Sequence, residues 1–107
     1  MKLESQFQSE LIKEIKDLFP GCVVLKNDPN YIQGFPDLLI LFRKQWAALE
    51  VKRSALEPYQ PNQEYYLDML NKMAYSATIF PENRKSILDE LQFALRSGRK
   101  TRSTKRE

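Results

Sequence analysis

Residues 34–52, which read GFPDLLILFRKQWAALEVK, decide the fold predicted for this 107-residue chain. Two stretches, 37–42 and 46–52, are rich in aliphatic and aromatic residues, and the polar triplet at 43–45 separates them. This pattern is typical of two strands joined as a β-hairpin. The hairpin therefore serves as the reference for placing the other elements.

The register of this hairpin decides which side chains share a face. An even-length loop centred between the second and third residues of the triplet pairs Leu38 with Val51 and sets Asp37 opposite Lys52. Since side chains alternate between faces, Asp37, Glu50 and Lys52 then lie together at one end of one face. An odd-length loop would place Asp37 on the opposite face. In the even register the other face is wholly apolar and consists of Leu38, Ile40, Phe42, Ala47, Leu49 and Val51.

The face that carries the charged residues is otherwise apolar, so we expect a helix to cover it. Its remaining members are Leu39, Leu41, Trp46 and Ala48. Two acids and a lysine at the rim of a buried face are costly unless a cation compensates them. Oxygen ligands without imidazole or thiolate favour Mg²⁺ or Mn²⁺ over zinc. The alternative is a solvated sheet edge with alternating charges.

The composition excludes several kinds of site. The chain has 17 basic and 14 acidic residues, no histidine, and one cysteine, Cys22. Ser-His-Asp and Cys-His nucleophiles, zinc fingers, zincins and an intramolecular disulfide framework are therefore excluded. No apolar run is long enough for a membrane span. We expect no small-molecule cofactor and a cytoplasmic protein.

The rest of the chain predicts one α/β domain over residues 1–95 with the element order α-β-β-β-α-β-α, a mixed four-stranded sheet flanked by helices. Hydrophobic spacing predicts helices over 3–19, about 62–75 and the segment around 87–95, and short strands over 22–25 and 77–80. Residues 96–107 hold six basic side chains against one acid, and we expect a disordered basic tail there.

Gly34-Phe35-Pro36-Asp37, followed after twelve residues by Glu50-Val51-Lys52, resembles the signature of the PD-(D/E)XK nuclease superfamily. Among its members, the chain is most similar to the VRR-Nuc type and to the small resolvase-like endonucleases of archaea and phages. Gln63 lies on the following helix, where VRR-Nuc-like proteins carry a glutamine. The resemblance covers roughly residues 5–95 and implies a restriction-endonuclease-like core.

The resemblance implies roles for five residues around the hairpin. Asp37, Glu50 and the backbone carbonyl of Val51 would hold Mg²⁺ or Mn²⁺. Lys52 would orient or deprotonate the attacking water and offset charge in the transition state. Gln63 would reach toward the same site.

The family also places an acid on the first helix and contacts to nucleic acid nearby. Glu10 is the first choice for that acid and Glu14 its rival, while either could be a solvated helix charge. Lys26 and Tyr31 are candidates for contacting nucleic acid, although Tyr31 could instead cover the core. Three tail residues, Arg99, Lys100 and Arg102, suit sequence-independent phosphate binding or simply a soluble terminus.

The expected function is that of a Mg²⁺-dependent DNA endonuclease that selects a junction, flap or nick rather than a base sequence. Two-strand cutting would favour a homodimer. The resemblance also implies a bacterial or phage-infected host cell as its setting. Two alternatives remain open. One is a non-catalytic DNA-binding or scaffolding module with the same fold, and the other is an interaction protein whose basic tail binds an acidic partner.

Overall fold

The computed structural model describes residues 3–97, and it has the α/β architecture and the element order predicted from the sequence. The elements are α1 (Glu4–Leu18), β1 (Val23–Lys26), β2 (Leu38–Phe42), β3 (Gln45–Val51), α2 (Gln63–Met73), β4 (Tyr75–Ile79), a 3₁₀ turn (Pro81–Asn83) and α3 (Arg84–Ser97). Among the described residues, no helix is long and apolar enough to cross a membrane.

The four strands form one mixed sheet in the order β1-β2-β3-β4. Strand β2 is antiparallel to both β1 and β3, and β4 is parallel to β3. A parallel pair needs a long connection that crosses over the sheet, because a tight turn reverses the chain. Helix α2 lies within this connection and is therefore held close to β3 and β4.

The predicted hairpin register is wrong by two residues. Leu38 pairs with Leu49 instead of Val51, and the turn consists of Arg43 and Lys44. Arg43 adopts a positive φ of 58°, which allows the chain to reverse one residue earlier than predicted. Because a shift of two preserves the alternation of side chains, the predicted division of residues between the faces is confirmed.

One face of the sheet forms the core with α1 and α3. Its six hairpin residues, predicted to be apolar and buried, are each at most 5% exposed. Helix α1 contributes Phe7, Leu11 and Ile15 to this core, and α3 contributes Leu88 and Leu91, among others. The spacing of these residues at three and four positions along each helix aligns them on one side.

The opposite face is covered only in part. Helix α2 packs against β4 and β3, so the prediction of a covering helix is confirmed at Ala48, which is fully buried. The prediction of a covering helix is wrong at Leu41, which is 38% exposed. Val23, the residue of β1 that pairs with Leu41, is 49% exposed. The connection through α2 joins adjacent strands, and the helix therefore stays over those two strands.

The start of the predicted tail belongs to α3, which ends at Ser97. Arg96 Nη2 donates a hydrogen bond of 2.6 Å to the backbone oxygen of Leu18, and its guanidinium lies 5.2 Å from the centre of the Phe19 ring. The last turn of α3 is thus attached to the end of α1. Arg99, Lys100 and Arg102 lie outside the described residues.

Gly34 permits a close contact between the segment before Asp37 and the segment before α2. Its φ is +89°, a conformation that side-chain-bearing residues rarely adopt. A Cβ atom at this position would lie 2.6 Å from both the backbone oxygen of Pro61 and the Cβ of Asn62. Only glycine therefore fits at position 34, against the two residues that directly precede α2.

We expect Gly34→Ala to destabilise the protein more than Gly21→Ala. Both glycines have positive φ, and the backbone strain costs about 1–3 kcal/mol in each case. A Cβ at Gly21 meets nothing within 4 Å, whereas at Gly34 it meets backbone, which adds about 1–3 kcal/mol. Urea unfolding of the two variants measures the difference. Equal losses in the free energy of unfolding would contradict the close contact.

Candidate active site

Three charged side chains meet at one end of the sheet, on the face that α2 partly covers. Asp37 immediately precedes β2, Glu50 lies near the end of β3, and Lys52 follows that strand. Glu50 and Lys52 are each only 3% exposed. A solvated sheet edge, the alternative considered from the sequence, does not describe residues buried to this degree.

Asp37 is held by the backbone at the end of β3. The amide of Val51 donates a hydrogen bond of 2.8 Å to Asp37 Oδ2. The backbone oxygen of Asp37 accepts a bond of 2.8 Å from the amide of Asn27, just after β1. These contacts fix the Asp37 carboxylate beside the strand that carries Glu50.

Gln63, the first residue of α2, connects Glu50 and Lys52. Its Nε2 donates to Glu50 Oε2 at 2.8 Å, and its Oε1 accepts from Lys52 Nζ at 2.8 Å. Lys52 Nζ also donates to the backbone oxygen of Pro58 at 3.3 Å and lies 3.6 Å from Glu50 Oε2. The structure thus brings the predicted glutamine into the same cluster as the predicted acid and lysine.

One oxygen of this cluster has no partner. Glu50 Oε1 is buried and, within the described chain, makes no hydrogen bond. A buried carboxylate oxygen without a donor is unfavourable, and a cation beside it would remove the penalty. The donor set of Asp37 and Glu50 therefore fits a hard divalent cation such as Mg²⁺.

The described residues contain no group of three or more histidine, cysteine, aspartate or glutamate side chains arranged to hold a metal. Asp37 and Glu50 alone would leave most coordination positions to other ligands. Mg²⁺ suits such a site, because it commonly retains several waters and binds through one or two carboxylates.

Burial raises the pKa of both acids, and repulsion by Asp37 raises that of Glu50 further. The pKa of Glu50 is raised to about 8, first because burial disfavours its charged form and second because Asp37 repels it. Lys52 acts in the opposite direction. The pKa of Asp37 is also raised by burial, against the lowering effect of the Val51 amide. Without a cation, the pair thus resists full ionisation.

Glu10 and Glu14 line a cavity of about 550 Å³ whose walls include Arg53 and Ser54 but not Asp37, Glu50 or Lys52. Glu14 also forms an ion pair with Arg84 at the start of α3. Along the axis of α1 they lie about 9 and 15 Å beyond Glu4, the residue that begins the helix.

Glu4, another acid of α1, lies within electrostatic reach of the cluster, and the sequence interpretation missed it. Its pKa is raised, first by burial and then by repulsion from Glu57 and Asp37. Glu4 precedes Phe7 by three residues and Leu11 by seven, so it lies on the buried side of α1. This spacing was the signal available in the sequence.

The two predicted nucleic-acid contacts within the described residues border the cluster. Lys26 is exposed at the end of β1 and pairs with Leu38, the residue after Asp37. Tyr31 follows in the connection between β1 and β2 and is 84% exposed. Its ring therefore does not cover the core, which was the alternative considered for it.

We expect the metal-free protein to lose stability as the pH rises from about 5 to 9. Glu50 ionises at its ordinary pKa of 4.5 when unfolded and at about 8 when folded, so the unfolded state binds fewer protons in between. The loss is on the order of 3 kcal/mol, and each kcal/mol corresponds to about 4–8 °C in Tm. Thermal unfolding in EDTA measures it.

Glu50→Gln is the control for this pH dependence, because glutamine keeps an oxygen for Gln63 but cannot ionise. The variant should show a flatter dependence of Tm on pH over the same range. If the Tm of the wild type does not fall more steeply with rising pH than the Tm of this variant, the raised pKa of Glu50 is contradicted.

Comparisons with known proteins give one structural likeness. A scan of family models and a search of curated proteins find no match. Among solved structures, the chain is similar to a Holliday junction resolvase of the hyperthermophilic archaeon Archaeoglobus fulgidus, with a TM-score of 0.49 and 18% sequence identity. The match covers 70% of this chain and 66% of the resolvase, so about a third of that protein has no counterpart here. This likeness concerns the course of the backbone.

Proposed function

We propose that this protein is a metal-dependent endonuclease that hydrolyses phosphodiester bonds in DNA. The observation that carries the proposal is the unpartnered, buried Oε1 of Glu50, which lies in a cluster with Asp37 and Lys52. The resemblance of this part of the sequence to PD-(D/E)XK nucleases supports the same assignment. Gln63, which is bonded to both Glu50 and Lys52, supports a relation to the VRR-Nuc type.

Asp37, Glu50 and the backbone carbonyl of Val51 would hold Mg²⁺ or Mn²⁺. The bound cation would polarise the phosphate and lower the pKa of a water molecule. Asp37 is suited to this role because the Val51 amide occupies only one of its two oxygens among the described hydrogen bonds. The charge of the cation would also favour ionisation of both acids.

Lys52 would act on the attacking water and on the charge that develops at the phosphate. Its ammonium group has three donors, and Gln63 and Pro58 orient it inside a nearly dry cluster. A charge held in such an environment interacts more strongly with a transition state than one in water. Gln63 would therefore be a positioning residue for Lys52 and Glu50.

Glu4 takes the role that the resemblance assigns to an acid of the first helix. Its electrostatic interaction with Asp37 and Lys52 supports this assignment. Glu10, the first choice from the sequence, lines a different cavity. Glu4 would bind or orient water beside the cation rather than complete a group of direct protein ligands.

The substrate included in this proposal is DNA with a junction, flap or nick. The resemblance of residues 34–52 to small resolvase-like endonucleases supports it. Lys26 adds an exposed positive charge beside the Asp37 strand, where it would contact a phosphate independently of base sequence.

A homodimer would supply two such sites for the two strands of DNA. The uncovered part of the sheet offers a surface for it, since Val23, Leu25 and Leu41 lie side by side and are 49%, 45% and 38% exposed. Contiguous apolar surface of this kind marks sites of protein association. A two-fold dimer would pair this surface with the same surface of a second copy.

We expect Asp37→Asn, Glu50→Gln and Lys52→Met each to reduce nicking of supercoiled plasmid in Mg²⁺ by about 10²-fold or more. Each change removes a charge from the proposed cation site or from the group beside the attacking water. Initial rates of nicking measure the effect, and circular dichroism verifies that each variant is folded. Rates equal to wild type would overturn the assignment, and an inactive wild type would favour a binding module.

Glu4→Gln and Glu10→Gln form a matched pair within the same experiment. Both remove one acid from α1, but Glu4 interacts with Asp37 and Lys52, whereas Glu10 lines a cavity with Arg53 and Glu82. We expect the Glu4 variant to lose at least about tenfold in rate and the Glu10 variant to remain near wild type. The reverse result would restore Glu10 as the functional acid.

We expect Leu41→Lys to prevent formation of the homodimer, because it places a charge in the centre of the proposed interface. Leu56→Lys is the control, since Leu56 is 91% exposed and lies in the loop after β3. Sedimentation equilibrium of wild type and both variants measures the association. A monomeric wild type, or a Leu41 variant that remains dimeric, would contradict this interface.

A further inference from the structure

A second cavity lies beside the candidate active site, with a volume of about 360 Å³. It is lined by Asn27, Asp28, Tyr31, Ile32 and Phe35. We propose that it binds one unpaired nucleobase of the DNA strand being cut. This inference rests on the proposed nuclease function and specifies its substrate as DNA with an unpaired nucleotide close to the scissile bond.

The position of the cavity is fixed relative to Asp37 by two hydrogen bonds from Asn27. The Asn27 amide donates to the backbone oxygen of Asp37 at 2.8 Å, and Asn27 Nδ2 donates to the backbone oxygen of Pro36 at 2.6 Å. Phe35, on another wall, precedes Asp37 by only two residues. A nucleotide whose phosphate lies at the Asp37 cluster would therefore have the cavity within reach of its own base or of a neighbouring base.

The walls of the cavity suit a flat aromatic ligand. Phe35 is held in an edge-to-face contact with Tyr66 of α2, with ring centres 5.5 Å apart. Tyr31 is 84% exposed, and among residues 3–97 its ring stacks on no other aromatic side chain. Ile32 adds an aliphatic surface. Aromatic side chains of this kind bind bases of single strands by stacking, without regard to sequence.

The polar group at this cavity favours a base over a phosphate. Asp28 is exposed, and its carboxylate would repel the phosphate backbone. Its Oδ1 accepts a hydrogen bond of 2.8 Å from the amide of Asn30, and its other oxygen is suited to accept a donor from a base edge. The volume lies near the lower end of the range for small-molecule sites, about 300–1,000 Å³, which suits one planar ring system.

The loop that forms the cavity is organised before any ligand binds. The Tyr31 amide donates to the backbone oxygen of Asp28 at 3.1 Å, and the Phe35 amide donates to that of Ile32 at 3.3 Å. Gly34 adds the close contact with Pro61 and therefore ties the loop to the start of α2. A site ordered in advance loses less conformational entropy on binding.

The inference implies a preference among DNA structures. In a continuous duplex each base is stacked and paired, and it must be extruded before it can enter the cavity. At a flap, or at a branch that leaves nucleotides unpaired, those nucleotides need no extrusion. Wild-type protein should therefore favour substrates with an unpaired nucleotide beside the branch, and the preference should depend on Tyr31.

The test uses flap DNA with 2-aminopurine placed in turn at each unpaired nucleotide near the branch, in EDTA so that no cleavage occurs. Wild type should change the fluorescence at one of these positions on binding, and Tyr31→Phe should retain the change. Tyr31→Ala should abolish it and weaken flap binding about tenfold in fluorescence anisotropy, a larger loss than for binding to plain duplex. Tyr65→Ala is the control, because Tyr65 is 64% exposed on α2 and lies outside the cavity.

The outcomes separate this inference from the proposed function. If Tyr31→Ala matches wild type in fluorescence and affinity, the base site is overturned, whereas plasmid nicking in Mg²⁺ would still support the nuclease. If the fluorescence change depends on Tyr31 but wild type nicks no DNA, the base site stands and the nuclease assignment fails. Equal losses for the Tyr31 and Tyr65 variants would also overturn the site, and absence of binding to any DNA would overturn both.

Discussion

The structure depends on the burial of a carboxylate and an ammonium group, those of Glu50 and Lys52, at the end of one strand. Removing two charges from water is expensive, and their mutual attraction repays that cost only when hydrogen bonds satisfy the remaining atoms. Gln63 supplies a donor to one and an acceptor to the other, and Pro58 adds a second acceptor for the lysine. One carboxylate oxygen remains unsatisfied. The fold thus tolerates a local cost at the position where a cation would remove it.

The arrangement of layers explains how such a pair can exist in a small protein. Helices α1 and α3 pack on one face of the sheet, which leaves the other face to α2 and to the loops at the end of β3. Gly34 allows the connection between β1 and β2 to lie close to Pro61 and Asn62, which directly precede α2. Because α2 begins with Gln63, this packing contact also helps to place the bridging glutamine. Packing and site formation therefore depend on the same few residues.

Most of the fold was predictable from hydrophobic spacing, and the shared face of Asp37, Glu50 and Lys52 followed from alternation along the hairpin. The register was not predictable, because a shift of two residues leaves the hydrophobic pattern unchanged; in the observed register Arg43 takes a positive φ in the turn. Glu4 was missed for a different reason. Its spacing from Phe7 and Leu11 indicated the buried side of α1, but its electrostatic interaction with Asp37 and Lys52 depends on how α1 lies relative to the sheet, which spacing within one helix does not specify.

The contact between Arg96 and Leu18 fixes the two ends of the described chain relative to each other. Helix α1 runs about 20 Å from Glu4, which interacts electrostatically with Asp37 and Lys52, to Leu18. The last turn of α3 is bonded at this far end, so the described chain ends on the side of the fold opposite to the beginning of α1.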